Sequence, residues 1–166
     1  MGFKLDLTGG SILDTLTGEH LDESKRSDRL TANTLFYVLS AYARSHEKQP
    51  TGKLISSKQF RGAQFTGRDT IGERHRITRH FTDMSSLEEA VGALRGSNIE
   101  FPYDDIAVSL NLLPLIPLTI VLDLGDDEFN AEAHIFYDES VENYLDSEQT
   151  YFLTSLAVSR LFKVSS

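Results

Sequence analysis

The chain contains no cysteine. That excludes disulfides, zinc–thiolate sites, thiol nucleophiles and any iron–sulfur cluster ligated by the chain itself. Long apolar runs are lacking too. The longest, from Leu110 to Leu122, is broken by Asn111, Pro114, Pro117 and Thr119. It falls short of the ~20 residues that cross a bilayer and reads instead as buried strand, so no membrane association is expected. Residues Met1 to Asp6 show no basic segment followed by an apolar stretch, so no signal peptide is expected and the cytoplasm is the expected location. Positive charge is scarce: 16 Lys and Arg stand against 25 Asp and Glu, a net charge of −9. Such a balance favours solubility and disfavours attraction to nucleic acid or anionic lipid, so neither is an expected partner.

What is present suits one core. A chain of 166 residues with 40% hydrophobic side chains can bury close to ~70% of its unfolded surface, and a single globular domain over 1–166 is expected. Phe3, Leu5 and Leu7 alternate ahead of Thr8-Gly9-Gly10, and Ile12 to Leu16 follows, predicting an N-terminal hairpin. Leu35, Val38, Leu39 and Tyr42 recur at helical spacing, predicting a helix from Leu30 to Ala43 with Asp28 or Thr31 as its cap. Leu21 to Arg29 reads as surface loop or helix entry. A short strand is expected at Leu54 and Ile55, and a helix between Asp69 and Phe81, although Ile71, Ile77 and Phe81 make a poor stripe. Ser85 and Glu88 form a capping-box pattern ahead of Leu87, Ala90, Val91 and Leu94, with Gly96 as the stop.

The strongest β signal lies further on. Ile106, Val108 and Leu110 alternate, Pro117 opens the run Leu118 to Leu124, Gly125 to Glu128 turns, and Ala131, Ala133, Ile135 and Tyr137 return. This predicts an antiparallel hairpin whose first strand is central. A last helix capped by Asp146 with Gln149 carries Leu153, Leu156, Ala157 and Leu161. The order predicts an α+β fold, an antiparallel or mixed sheet with helices packed against it.

The segment Leu113-Pro114-Leu115-Ile116-Pro117-Leu118-Thr119-Ile120-Val121-Leu122, with Gly125 to Phe129, Ala131 and Phe136-Tyr137-Asp138 after it, resembles a bacterial and archaeal family of domains of unknown function. The Leu35 to Tyr42 helix, Phe60-Arg61-Gly62-Ala63-Gln64-Phe65 and Tyr144-Leu145 extend the resemblance over most of the chain. It departs at Asp123, where the family commonly has Trp, and at Asn130, where Pro is common. Members concentrated in anaerobes, some with an added cysteine-rich iron–sulfur domain, imply a link to anaerobic redox or corrinoid metabolism. With no cysteine here, such a cluster would sit on a protein partner. The resemblance carries over no catalytic residue and no cofactor.

Two clusters carry candidate chemistry. Between Gly52 and His80, Lys53, Lys58, Arg61, Arg68, Arg74, Arg76 and Arg79 face only Asp69 and Glu73, so this segment is +5 within a remainder of −14. Arg61, Arg68, Arg74, Arg76 and Arg79 can hold phosphate or carboxylate in bidentate geometry, with Gly62 or Gly67 admitting backbone N–H groups. They can equally pair with carboxylates elsewhere or coat a solvated surface. The second cluster is Asp123, Asp126, Asp127, Glu128, Glu132 and His134 around one hairpin. There Asp123 and His134 lead as ligands for a hard cation, against the alternative of an acidic, solvated turn.

Other residue types point to packing. His75 and His80, five apart among arginines, suit neither a cation nor a partnered general base. Ser11, Ser40, Ser56 and Ser155 stand in no nucleophile-elbow context. Tyr137, Tyr144 and Tyr151 can line a pocket or fill the core. Three readings follow: a non-catalytic accessory or binding module, a small-molecule enzyme or cofactor binder built on the arginine segment, and a cation-binding hairpin.

Overall fold

The computed structural model describes residues 1–61, 70–102 and 106–165. Alternation of apolar and polar residues in the C-terminal half produces a five-stranded antiparallel sheet. Its strands are β4 (Leu54–Ile55), β5 (Ser97–Asn98), β6 (Ile106–Leu113), β7 (Ile116–Asp123) and β8 (Glu132–Asp138), in the order β4-β8-β7-β6-β5. β7 is central, and six of its eight residues are buried because both neighbours and both faces cover it. The apolar stretch from Leu110 to Leu122 is therefore not one strand. Pro114-Leu115 turns the chain between β6 and β7, and a register shift between Asn111 and Leu113 accommodates the turn. Pro117 sits opposite Asn111, one residue before the β7–β8 ladder begins at Leu118, so its missing N–H costs that ladder nothing.

The N-terminal segment exceeds the expected hairpin. β1 (Phe3–Leu5), β2 (Ile12–Asp14) and β3 (Glu19–His20) form a separate three-stranded antiparallel sheet. Four helices complete the α+β architecture: α1 (Arg26–Tyr42), α2 (Ile71–His80), α3 (Met84–Ala93) and α4 (Ser147–Val164). None of the described helices is long and apolar enough to cross a membrane. α2, α3 and α4 pack against the large sheet, and α1 lies along α4. Ile77, Leu87, Val91, Leu153 and Leu161 thereby meet Val108, Leu118, Ile120 and Ile135 in the main core. A smaller cluster of Ile12, Ala32 and Leu35, with Phe3, Leu5 and Leu156, joins the small sheet to α1 and α4.

Helix ends depart from expectation in instructive ways. α1 begins at Arg26, inside the segment read as surface loop or helix entry, and its cap, Lys25, makes no side-chain bond. Asp28 instead accepts the Asp22 amide at 3.0 Å, and Thr31 bonds back to the Ser27 carbonyl at 3.1 Å. α3 is capped by Asp83, whose carboxylate accepts the Ser86 amide at 2.9 Å, so Ser85 lies in the first turn. Asp83 wins because a carboxylate answers the positive end of the helix better than a hydroxyl. In α2 the buried stripe is Glu73, Ile77 and Phe81 rather than Ile71, which is exposed. A carboxylate is tolerated there because Arg76 at 2.7 Å and the Ser155 hydroxyl at 2.8 Å satisfy it. The Asp146–Gln149 capping box forms as expected.

Two buried carboxylates tie distant segments together. Asp138 accepts the amides of Thr51, Gly52 and Ser140 and anchors the loop before β4 onto β8. Asp14 receives both terminal nitrogens of Arg160, at 2.6 and 2.7 Å, and Lys163 at 2.9 Å. Arg160 also lies over the Phe3 ring at 4.4 Å, so one α4 residue clamps the small sheet.

Candidate functional site

The arginine segment is dispersed by the helix that carries it. Residues 74, 76 and 79 point about 160°, 60° and 140° apart around α2 at ~100° per residue, so they cannot share one face. Arg76 is held by Glu73 at 2.7 Å, reaches Ser159 at 3.4 Å and lies over Phe162 at 5.0 Å. Arg79 is exposed and makes no ion pair with a described residue. Arg61 lies 3.7 Å from Glu142 in a separate cavity that Asp146 also lines. Arg74 is half-buried in another cavity, between α2 and the start of β8. Arg68, Gly62 and Gly67 lie outside the described residues. The cavities holding Arg61 and Arg74 are distinct, so these two do not converge.

At the acidic hairpin, Asp123 pairs with Glu132 and Val121 with His134, which places Asp123, Glu132 and His134 on one face of the sheet. His134 Nε2 stands 3.6 Å from Glu132, and its ring stacks on Phe136, which stacks in turn on Phe101. The Asp123 carboxylate accepts the Gly125 amide at 2.7 Å, and Asp126 accepts those of Glu128 and Phe129 at 2.8 Å. These two carboxylates shape the turn. Those amide bonds hold the Asp126 carboxyl below its ordinary value. Among the described residues, no three His, Asp or Glu side chains gather where a metal ion could sit.

The tyrosines divide between core and surface. Tyr137 is fully buried and shares a 2.9 Å hydrogen bond with Thr154, and burial pushes its hydroxyl far up from the usual phenol value. Tyr144 donates to the Lys48 carbonyl at 2.7 Å, while Tyr151 is half-buried against Phe152. His80 is held by Ser165 at 2.7 Å and stacks on Phe162. Ser155 is engaged with Glu73.

A different place has the character of a binding site. Between the two sheets lies a cavity of about 400 Å³. Phe3 and Leu5 of β1, Leu35 and Leu39 of α1, and Leu94 and Leu112 wall it with apolar surface. Asn111 and Arg95 supply the polar groups. Arg95 is unusual in its backbone. It terminates α3 in the left-handed conformation, φ 62°, which no other described non-glycine residue adopts. Its side chain is exposed and, like that of Arg79, makes no hydrogen bond or ion pair with a described residue. The backbone choice is costly for a residue with a Cβ, by about 1–2 kcal/mol. It arises because the Gly96 amide bonds the Val91 carbonyl at 2.8 Å in a Schellman-type ending, which demands a left-handed residue immediately before it.

A family model described as Domain of unknown function (DUF3786) matches residues 5–160. The chain belongs to this family. The match runs from β1 into the last turns of α4, and within it fall Arg95, Asn111 and the leucines of the cavity. Leu113 and Pro114, which open the segment carrying the resemblance to a family of unknown function, line the cavity as well. No curated protein and no solved structure matches the chain.

Arg95 is not among the candidates that the sequence offers, since Gly96 reads as the helix stop. The Arg-Gly pair was no signal of it, because a glycine at a helix end ordinarily takes the left-handed position itself, whereas here Arg95 takes it. The cavity had no local signal, since its walls come from strand, helix and turn residues more than a hundred positions apart.

Proposed function

We propose that this chain is a binding module for a small amphipathic anion, an apolar body bearing one carboxylate or similar head, held in the cavity between the two sheets. The observation that carries this reading is Arg95, a cation with no ion pair among the described residues at a mostly apolar cavity, held there at the cost of a left-handed backbone. A volume of about 400 Å³ falls in the ~300–1,000 Å³ range of small-molecule sites, which are mostly apolar with few polar groups. Asn111 offers the head group a second hydrogen bond.

Octanoate, octylamine and 1-octanol are suitable probes in thermal-shift and calorimetric titrations. Octanoate is expected to stabilise the protein and the other two much less. Arg95→Gly removes the head-group contact, worth ~1.5–3 kcal/mol, or about 10- to 100-fold in Kd. The same substitution relieves the left-handed strain, so the unliganded protein should be no less stable than wild type. Equal binding of octylamine and octanoate, or unchanged octanoate affinity in Arg95→Gly, would refute the reading.

The accessory role joins this reading through the family. A module without cysteine, in a family implied to work beside iron–sulfur domains, supports a protein partner in anaerobic redox or corrinoid metabolism that carries the redox centre. Affinity capture from an anaerobic host should return an iron–sulfur or corrinoid enzyme; recovery of neither counts against the partner.

A further inference from the structure

We infer that Arg74 is the anchor of a second site, specific for a small oxyanion and independent of the cavity that holds Arg95. Two observations meet there. The Arg74 Nε is sealed from solvent and has no hydrogen-bond partner among the described residues, whereas a buried guanidinium donor left unpaired costs ~1–3 kcal/mol or more and is rarely retained without reason. The same side chain, half-exposed as a whole, lines a cavity of about 330 Å³ between α2 and the start of β8, so the guanidinium group borders space that a ligand can fill.

The lining of that cavity suits an anion. Arg74 and Thr78 are one helical turn apart on the same face of α2, with His75 beside them, and Asn130 and Ala131 close the opposite side. Glu132 also borders the cavity, but its carboxylate is not an obstacle. Strand alternation turns Ala133 toward the helices and Glu132 to the other face, where it stands 3.6 Å from His134. The guanidinium fork matches two oxygens of a carboxylate or phosphate in bidentate geometry. Of the described arginines in the basic segment, Arg76 is held by Glu73 and Arg61 stands against Glu142, while Arg79 lines neither cavity. The charge asymmetry of the sequence thus narrows to one residue.

The probes are inorganic phosphate and acetate, each titrated to ~20 mM against sodium chloride at matched ionic strength, with amide chemical shifts as the readout. Arg74→Met keeps the apolar stem and removes the buried donor, so the variant should fold at least as stably as wild type. In wild type, one or both anions should shift the amides of Thr78 and Ala131 to Ala133, and those shifts should fall at least tenfold in Arg74→Met while persisting in Arg95→Gly. Phosphate alone, or acetate alone, identifies which oxyanion geometry the site prefers. Absence of saturable shifts with both anions, or shifts unchanged in Arg74→Met, overturns the inference. Loss of the octanoate response in Arg95→Gly with the phosphate response intact separates the two sites.

Discussion

Asp14→Ala should destabilise the protein by about 3–5 kcal/mol, because it leaves the Arg160 guanidinium buried without its counter-charge. Both side chains are about 95% shielded from solvent and meet through two parallel N–H···O contacts of 2.6 and 2.7 Å. The cost is the orphaned cation rather than the worth of the pair. The double variant Asp14→Leu/Arg160→Met should therefore recover most of the loss, since two apolar groups need no partner. Urea melts followed by circular dichroism measure both quantities. A double variant as unstable as the single would show that the pair is itself a net source of stability.

The same carboxylate predicts acid sensitivity. Burial alone would push the Asp14 carboxyl up, but hydrogen bonds from Arg160, Lys163 and the Leu16 amide, with the Arg160 charge, hold it well below the ordinary range. A folded value below the unfolded one contributes stability that is complete above the unfolded carboxylate pKa of ~3.9 and is lost as pH falls toward the folded value. The urea midpoint should be flat from neutral pH to about pH 5 and fall below about pH 4. Asp138, depressed by its amide donors against the opposing effect of burial, adds to the same slope. In Asp14→Asn the slope should flatten.

Gly96→Ala carries the second large effect. A Cβ at this position would stand 2.5 Å from the Ser109 carbonyl oxygen, 2.5 Å from Val91 Cγ1 and 2.6 Å from Leu110 Cδ2. The carbonyl belongs to β6, beside the Ser97↔Ser109 pair, and cannot turn aside without disturbing that strand. The expected loss is about 3 kcal/mol, the upper part of the overpacking range, or roughly 6–12 °C in Tm for a chain of this size. Gly92→Ala is the matched control. Nothing lies within 4 Å of a Cβ there, and the residue is helical and exposed, so alanine should stabilise by about 0.5–1 kcal/mol. Equal stability of Gly96→Ala and wild type would show that β5 and α3 slide apart freely.

Gly96 also shows how a correct local reading can have the wrong cause. Sequence placed it as the end of α3, and α3 does end there. Its backbone is not left-handed, however; Arg95 takes that conformation, and Gly96 is required by the closeness of β6. The candidate sites follow the same logic. Charge counting found the basic segment, and helical geometry then scattered Arg74, Arg76 and Arg79 around α2 while Glu73, from the same segment, took up Arg76. Spacing along the chain predicts that Glu73 and Arg76 can meet on one helix face, i to i+3, but not that Ser155 of α4 will close over the same carboxylate and bury it.

By itself, the sequence determined the alternating strands β6, β7 and β8, the central place of β7, the Asp146–Gln149 cap, the apolar faces of α1, α3 and α4, and the absence of thiol chemistry. These depend on periodicity and on neighbours within a few residues, which is where side-chain pattern and backbone geometry are locked together. Tertiary structure alone decided the separate N-terminal sheet, the Asp14–Arg160 clamp across almost the whole chain, the carboxylate in the stripe of α2, and both cavities. Each depends on groups far apart in sequence whose burial is stabilising only once the partner is in place. The missing cysteine thus says which chemistry the chain cannot carry, while Arg95 and Arg74 acquired their meaning only when folding enclosed space beside them.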